Sequence, residues 1–202
     1  MAGRLETDIF RDTVEAHDLD PAAYSFPLFA DALTAAYSSR SDDLREQGRV
    51  LPGATAALAA LADVPGTVQT VLTGNVRTVA IIKLATFDLD RYVDFEIGAY
   101  ATDGGVRANL VRVAQQRASA KHGVTFDLGS TVLVGDTLHD VAAGREGGAF
   151  VVAVASGRTT GSELLKAGAD VVLANLTDTP ALLRALGLVG TEMQPEIGEE
   201  GS

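Results

Sequence analysis

Ser130-Thr131-Val132-Leu133-Val134-Gly135-Asp136-Thr137-Leu138-His139-Asp140 is the stretch that decides how this chain reads. Val132 to Val134 is a short apolar run, largely β-branched and bounded by glycine, the pattern of a buried strand. Gly135 lets the backbone turn sharply and come close to a ligand. Asp136 then falls at the C-terminal end of that strand, where open α/β sheets bind ligands. Asp140 follows four residues on, in the first turn of the next predicted helix, so both carboxylates can face one crevice. Such a pair suits Mg2+, a hard cation that takes oxygen ligands and keeps several waters. The same residues also read as a plain helix cap, with Asp136 and Thr137 satisfying the open N–H groups of the helix start.

Around this stretch the pattern alternates between strand and helix. Strands are predicted at Val68 to Leu72, Val93 to Ile97, Val132 to Val134, Phe150 to Val154 and Val171 to Leu173. Helices are predicted at Ala54 to Ala62, Asn75 to Ala85 with Asn75 as cap, Val106 to His122, Leu138 to Arg145, Ser162 to Ala167 and Pro180 to Leu186. Repeated alternation with fully apolar strands signals a parallel sheet covered by helices on both faces. Residues 1–48 carry no strand pattern. Leu5, Ile9, Phe10, Thr13 and Val14, then Phe26, Phe29, Leu33 and Tyr37, recur at helical spacing. Residues 38–48 are polar and read as a connection. The expected organisation is a helical segment over 1–48, an α/β core over 49–189, and an acidic disordered tail over 190–202.

Composition narrows the function classes. The chain has 202 residues, a net charge of −11 and no cysteine. A surface this acidic does not hold nucleic acid or an anionic membrane by charge. Without cysteine there is no disulfide, thiolate zinc site or thiol nucleophile. No apolar run approaches the roughly 20 residues that span a bilayer, and no apolar signal core stands at the start. The expectation is a cytoplasmic protein, with oligomeric state open.

Two further places carry chemistry. Val71-Leu72-Thr73-Gly74-Asn75 puts a hydroxyl, exposed N–H groups and a helix start at one strand end, an anion-binding arrangement of Thr73, Gly74 and Asn75. Read by itself it is also ordinary loop and cap chemistry. Arg107 follows Gly104-Gly105 near a helix start and is placed to pair a phosphate bidentately; it reads equally as a solvated surface arginine.

In this order and spacing these residues resemble the haloacid-dehalogenase-like hydrolase superfamily, more closely its phosphoglycolate-phosphatase-like members. Thr73 matches the family's second motif, Arg107 lies where the third places a Lys or Arg, and Gly135 to Asp140 matches the fourth. Lys83 competes with Arg107 but falls early and reads as a helix-surface residue. The stretches Gly144 to Ala149, Ala155-Ser156-Gly157 and Gly168 to Val171 fit as well. The resemblance implies a Rossmann-like parallel sheet with a small helical cap, and a Mg2+-dependent phosphomonoester hydrolase acting on a small phosphorylated substrate. Thr73, Gly74, Asn75 and Arg107 would hold the phosphoryl group, and Asp136 and Asp140 the metal. A metal-free dehalogenase fits the acidic pair less well, and a receiver-like signalling domain does not carry a helical cap before a Thr-Gly-Asn site.

The chain departs from the family pattern at one point. The family's first motif is an apolar strand ending in Asp-x-Asp, whose carboxylates supply the nucleophile and the general acid and base. Asp18-Leu19-Asp20 follows a polar helix end, and Asp88-Leu89-Asp90 follows a helix; neither has the strand. The expected fold therefore lacks its first strand, and the chain as it stands is expected to be inactive. A start downstream of the motif is the favoured explanation. A non-catalytic ligand- or partner-binding pseudophosphatase is the alternative, and a strand supplied by another element, such as a second copy, is the third.

Overall fold

A computed structural model describes residues 4–20 and 23–188. The tail expected over 190–202 lies outside them. The described residues run through helices α1 (Glu6–Ala16), α2 (Phe26–Ser39), α3 (Ser41–Gln47), α4 (Ala54–Ala62), α5 (Arg77–Thr86) and α6 (Arg107–His122). Strand β1 (Val132–Gly135), helix α7 (Leu138–Gly147), strand β2 (Phe150–Val154), helix α8 (Gly161–Lys166), strand β3 (Val171–Leu173) and helix α9 (Thr179–Ala185) follow.

The sheet is parallel, in the order β1-β2-β3. Strand β2 lies between the other two, and its side chains alternate between two cores as the pleat requires. Val151 and Ala153 pack with Val141 of α7 and Leu164 of α8. Val152 packs on the other face with Ala57 of α4 and Leu182 of α9. This is the α/β arrangement with helices on both faces that the apolar strand pattern predicts.

The sheet stops at β1. Val132 and Val134 are 37% and 41% exposed, and among the described residues no strand pairs with their outer edge. The expected strands over Val68 to Leu72 and Val93 to Ile97 do not form. The segments around them lie side by side, with the Ala99 N–H donating to the Val71 carbonyl and the Thr73 N–H to the Ala99 carbonyl, but they reach only a single parallel bridge, Leu72 to Ala99. Two lone segments lack the flanking pairing and two-sided cover that sustain β2.

Two other expectations change. Residues 38–48, predicted as a connection, contain α3: Asp42 and Asp43 in its first turn and Arg45 in its last complement the helix dipole. The helix predicted from Asn75 starts at Arg77, with Val76 as its cap residue.

Helices α1 and α2 pack on this region. Leu5, Val76, Val79, Ala99, Ala101 and Leu110 form one buried cluster, and Phe26, Ala30, Leu33 and Tyr37 lean against it. The aromatic residues of the helical stripes are thus packing residues, with Phe10, Phe26 and Phe29 in mutual ring contact.

Candidate active site

Gly135 closes β1 against the start of α7. A Cβ there would lie 2.4 Å from the Asp140 Cβ, so only glycine admits this approach. Asp140 is buried and closes a capping box with Thr137. Its Oδ2 accepts from the Thr137 hydroxyl at 2.7 Å and from the Thr137 and Asp136 N–H groups at 3.1 and 3.2 Å. The Asp140 N–H returns a bond to Thr137 Oγ1. The cap reading of this stretch is thus realised, but it uses Asp140 and Thr137 rather than Asp136.

The other oxygen of Asp140 faces Arg107. Arg107 Nη2 donates to Asp140 Oδ1 at 2.8 Å, with both side chains largely buried. Close packing of α6 on α7 brings them together: a Cβ at Gly147 would meet Val111 Cβ at 2.5 Å and the Ala108 carbonyl at 2.7 Å. Arg107 stands at the first position of α6, just after a 3-10 turn at Ala101–Asp103. Arg117 holds that turn. Its guanidinium donates twice to Asp103 at 2.7 Å and to the Gly98 carbonyl. Burial works to raise the Asp103 pKa, but Arg117 and the Tyr100 N–H hold it below the ordinary carboxylate value. Burial also raises the Tyr100 phenol, against the pull of Arg77. Arg77, Tyr100, Asp103 and Arg117 line a hollow of about 320 Å³.

Asp136 is half-buried and differently placed. The loop after β2 passes over it, so that a Cβ at Gly157 would come within 2.5 Å of Asp136 Oδ2. Ser156 Oγ, beside this loop, is buried without a hydrogen-bond partner among the described residues.

Thr73, Gly74 and Asn75 form a second group. Thr73 Oγ1 accepts from the Asn75 N–H at 3.2 Å. Asn75 does not cap α5. Its amide donates to Glu6 Oε1 at 2.6 Å, while the Val76 N–H donates to Glu6 Oε2 at 2.6 Å. Lys83 Nζ donates to Asn75 Oδ1 at 3.0 Å and lies 4.7 Å from the centre of the Tyr37 ring. Sequence reasoning missed Glu6 altogether and set Lys83 aside as a surface residue. The helical spacing of Lys83 from Asn75 was the available signal; Glu6 is 69 residues from Asn75 and gave none.

The structure thus gathers Arg107, Asp136 and Asp140 at the end of β1, and Thr73, Gly74, Asn75 and Lys83 at the start of α5. Asp18-Leu19-Asp20 follows α1, and Asp88-Leu89-Asp90 follows α5, with Asp18 and Asp88 at positive φ and Asp90 opening a 3-10 turn. Neither triplet ends a strand.

Residues 106–179 match the family described as HAD-hydrolase-like. That is the superfamily whose motif order and spacing the sequence resembles, and the match covers the C-terminal part of the chain. Solved structures of similar fold extend the likeness over the rest of the chain. A hydrolase from Pseudomonas syringae aligns over 91% of this chain and 79% of its own, with a TM-score of 0.62 at 22% identity. A predicted phosphatase from Clostridium acetobutylicum aligns over 86% and 76%, with a TM-score of 0.57 at 19% identity. A haloacid dehalogenase-like family protein from Streptococcus pneumoniae aligns over 88% and 89%, with a TM-score of 0.57 at 14% identity. No curated protein matches the sequence. The matched segment contains Arg107, Asp136 and Asp140, whereas Thr73 to Asn75 lie outside it.

The acidic pair fits a Mg2+ ion that keeps most of its waters. Asp136 offers a half-buried carboxylate at a strand end, and Asp140 follows in the first turn of α7 with its charge partly balanced by Arg107. Among the described residues no group of three or more acidic or His side chains could hold a metal alone, so water or substrate would complete the coordination. No helix among the described residues is long and apolar enough to cross a membrane.

Proposed function

We propose that this fold is built to hydrolyse a small phosphomonoester with Mg2+, and that the described residues supply its binding and charge-neutralising parts but not its nucleophile. The observation that carries this reading is the buried Arg107–Asp140 pair set beside Asp136 at the end of β1. Asp136 would hold Mg2+, with Asp140 holding the ion or its water. When bound, the ion would supply positive charge to the phosphoryl oxygens. Arg107 would share its guanidinium between Asp140 and the phosphoryl group, since a planar fork can serve two acceptors. Thr73 Oγ, the Gly74 N–H and the Asn75 side-chain amide would receive the remaining phosphoryl oxygens at the start of α5. The helices of residues 1–48 would act as the cap, and residues 49–189 as the core.

These parts stabilise charge; covalent phosphoryl transfer also needs a positioned carboxylate nucleophile. It would come from a further strand on the open edge of β1, where Val132 and Val134 are exposed and the unpaired edge groups would gain partners. The alternative, a non-catalytic phosphate- or partner-binding protein, draws support from the Asp-Leu-Asp triplets standing away from any strand end.

Phosphate release from an aryl phosphate by this chain should stay at background with and without Mg2+. The same assay should give Mg2+-dependent turnover, lost in Asp136→Asn, once an apolar strand ending in Asp-x-Asp is joined ahead of residue 1. Robust turnover by the chain alone would overturn the claim that the nucleophile is missing. Background rates in the extended protein would favour the non-catalytic alternative.

A further inference from the structure

We propose that Glu6 is an internal occupant of the phosphate cradle, a carboxylate that an incoming phosphoryl group must displace. The inference rests on the reading of Thr73, Gly74 and Asn75 as that cradle. Glu6 is 8% exposed. A buried carboxylate persists only where donors meet it, and Glu6 finds them at the mouth of α5. Its two oxygens take the Asn75 amide and the Val76 N–H at 2.6 Å each. These are the kinds of donor, at the end of the helix dipole, that suit a phosphoryl oxygen.

Three features seat Glu6 there. Its own N–H donates to the Gly74 carbonyl at 2.8 Å. Gly74 has no side chain to block the passing segment: a Cβ would lie 2.2 Å from the Arg4 carbonyl oxygen. Leu5, the preceding residue, is buried with Val76 and Val79 and anchors the start of α1. Lys83 completes the arrangement by holding Asn75 Oδ1, which turns the amide nitrogen of Asn75 toward Glu6. The carboxylate therefore stands where an anionic ligand would, tethered by the first helix of the cap-like region. Release of Glu6 and undocking of α1 become one event. Ligand affinity is then lowered by the fraction of molecules in which the cradle is closed.

The test uses the full chain and inorganic phosphate as probe, with affinity measured by calorimetry for the wild type, Glu6→Ala, the near-isosteric Glu6→Gln and Thr73→Val. Both Glu6 variants should bind phosphate about tenfold tighter if the cradle is closed in about nine molecules of ten, and Thr73→Val should bind more weakly. Hydrogen exchange of the wild type should show residues 6–16 exchanging faster when phosphate is saturating, which needs no variant to fold. Unchanged or weaker phosphate binding in both Glu6 variants, with exchange in α1 unaltered by phosphate, overturns the displacement while leaving the cradle intact if Thr73→Val still loses binding. Absence of phosphate binding in every form, Glu6→Ala included, overturns the cradle and the displacement together.

Discussion

The two strand-end regions of this molecule begin from similar sequence and finish differently. Val132 to Val134 is a short apolar run and Val68 to Leu72 a mixed one that carries Gln69 and Thr70, and both lead into a glycine-bearing turn. The first becomes a strand because β2 pairs with it and α7 packs on it. The second becomes an extended segment with one bridge. Strand formation is thus decided by what lies alongside, since β-propensity measures fit to a half-buried pleated surface more than any backbone preference. The same contrast holds for the sites. At β1 the acidic residue Asp140 is built into its own helix start, four residues from Asp136. At α5 the acidic residue at the helix start comes from α1, its carboxylate taking the N–H of the cap residue Val76 from 70 residues away.

The contrast can be broken by unequal mutational costs. Leu164 is fully buried against β2, so Leu164→Ala should destabilise by about 3 kcal/mol in urea unfolding. Leu33, half-buried on α2, should lose only about 1 kcal/mol on the same change. Equal losses would mean that the two regions are one equally tight core. Gly135→Ala should cost about 2 kcal/mol through the collision with Asp140, and Thr137→Ala about 1 kcal/mol through the lost cap. Amide exchange sharpens the same point: the N–H groups of β2 should be protected far more than those of residues 69–73, which have one neighbouring segment only. The smallest effect is expected at Asp103→Asn, under about 1 kcal/mol because Arg117 is partly exposed. The folded Asp103 carboxyl lies below its unfolded value. Its stabilisation is therefore full above pH of about 4 and is lost as pH falls through the folded value. The cost of Asp103→Asn in thermal unfolding should shrink in that acidic window and stay constant toward neutrality.

Much of the C-terminal region was legible. Helix and strand limits from residue 107 onward fall within a few residues of expectation, because apolar runs, glycines and cap residues there lie close in sequence to what they act on. Thr160 and Thr137 show this: each caps a helix with the acidic residue three positions later. The N-terminal region was less legible. Asn75 reads as a cap residue, but α5 takes Val76 as its cap and the Asn75 side chain goes to Glu6, which no local pattern points to. The polar residues 41–47 form a helix because α3 packs beside α5, a neighbour invisible in their composition.

By itself the sequence determined the α/β class, the order of elements around β1, and the residue types at both strand ends, because period, turn chemistry and cap spacing act over a few residues. Tertiary structure alone decided that among the described residues the sheet ends at β1, that Arg107 spends its charge on Asp140, and that Glu6 meets the start of α5. Those outcomes depend on which distant segment reaches an open edge, a buried carboxylate or a helix start, and sequence spacing carries no record of that reach.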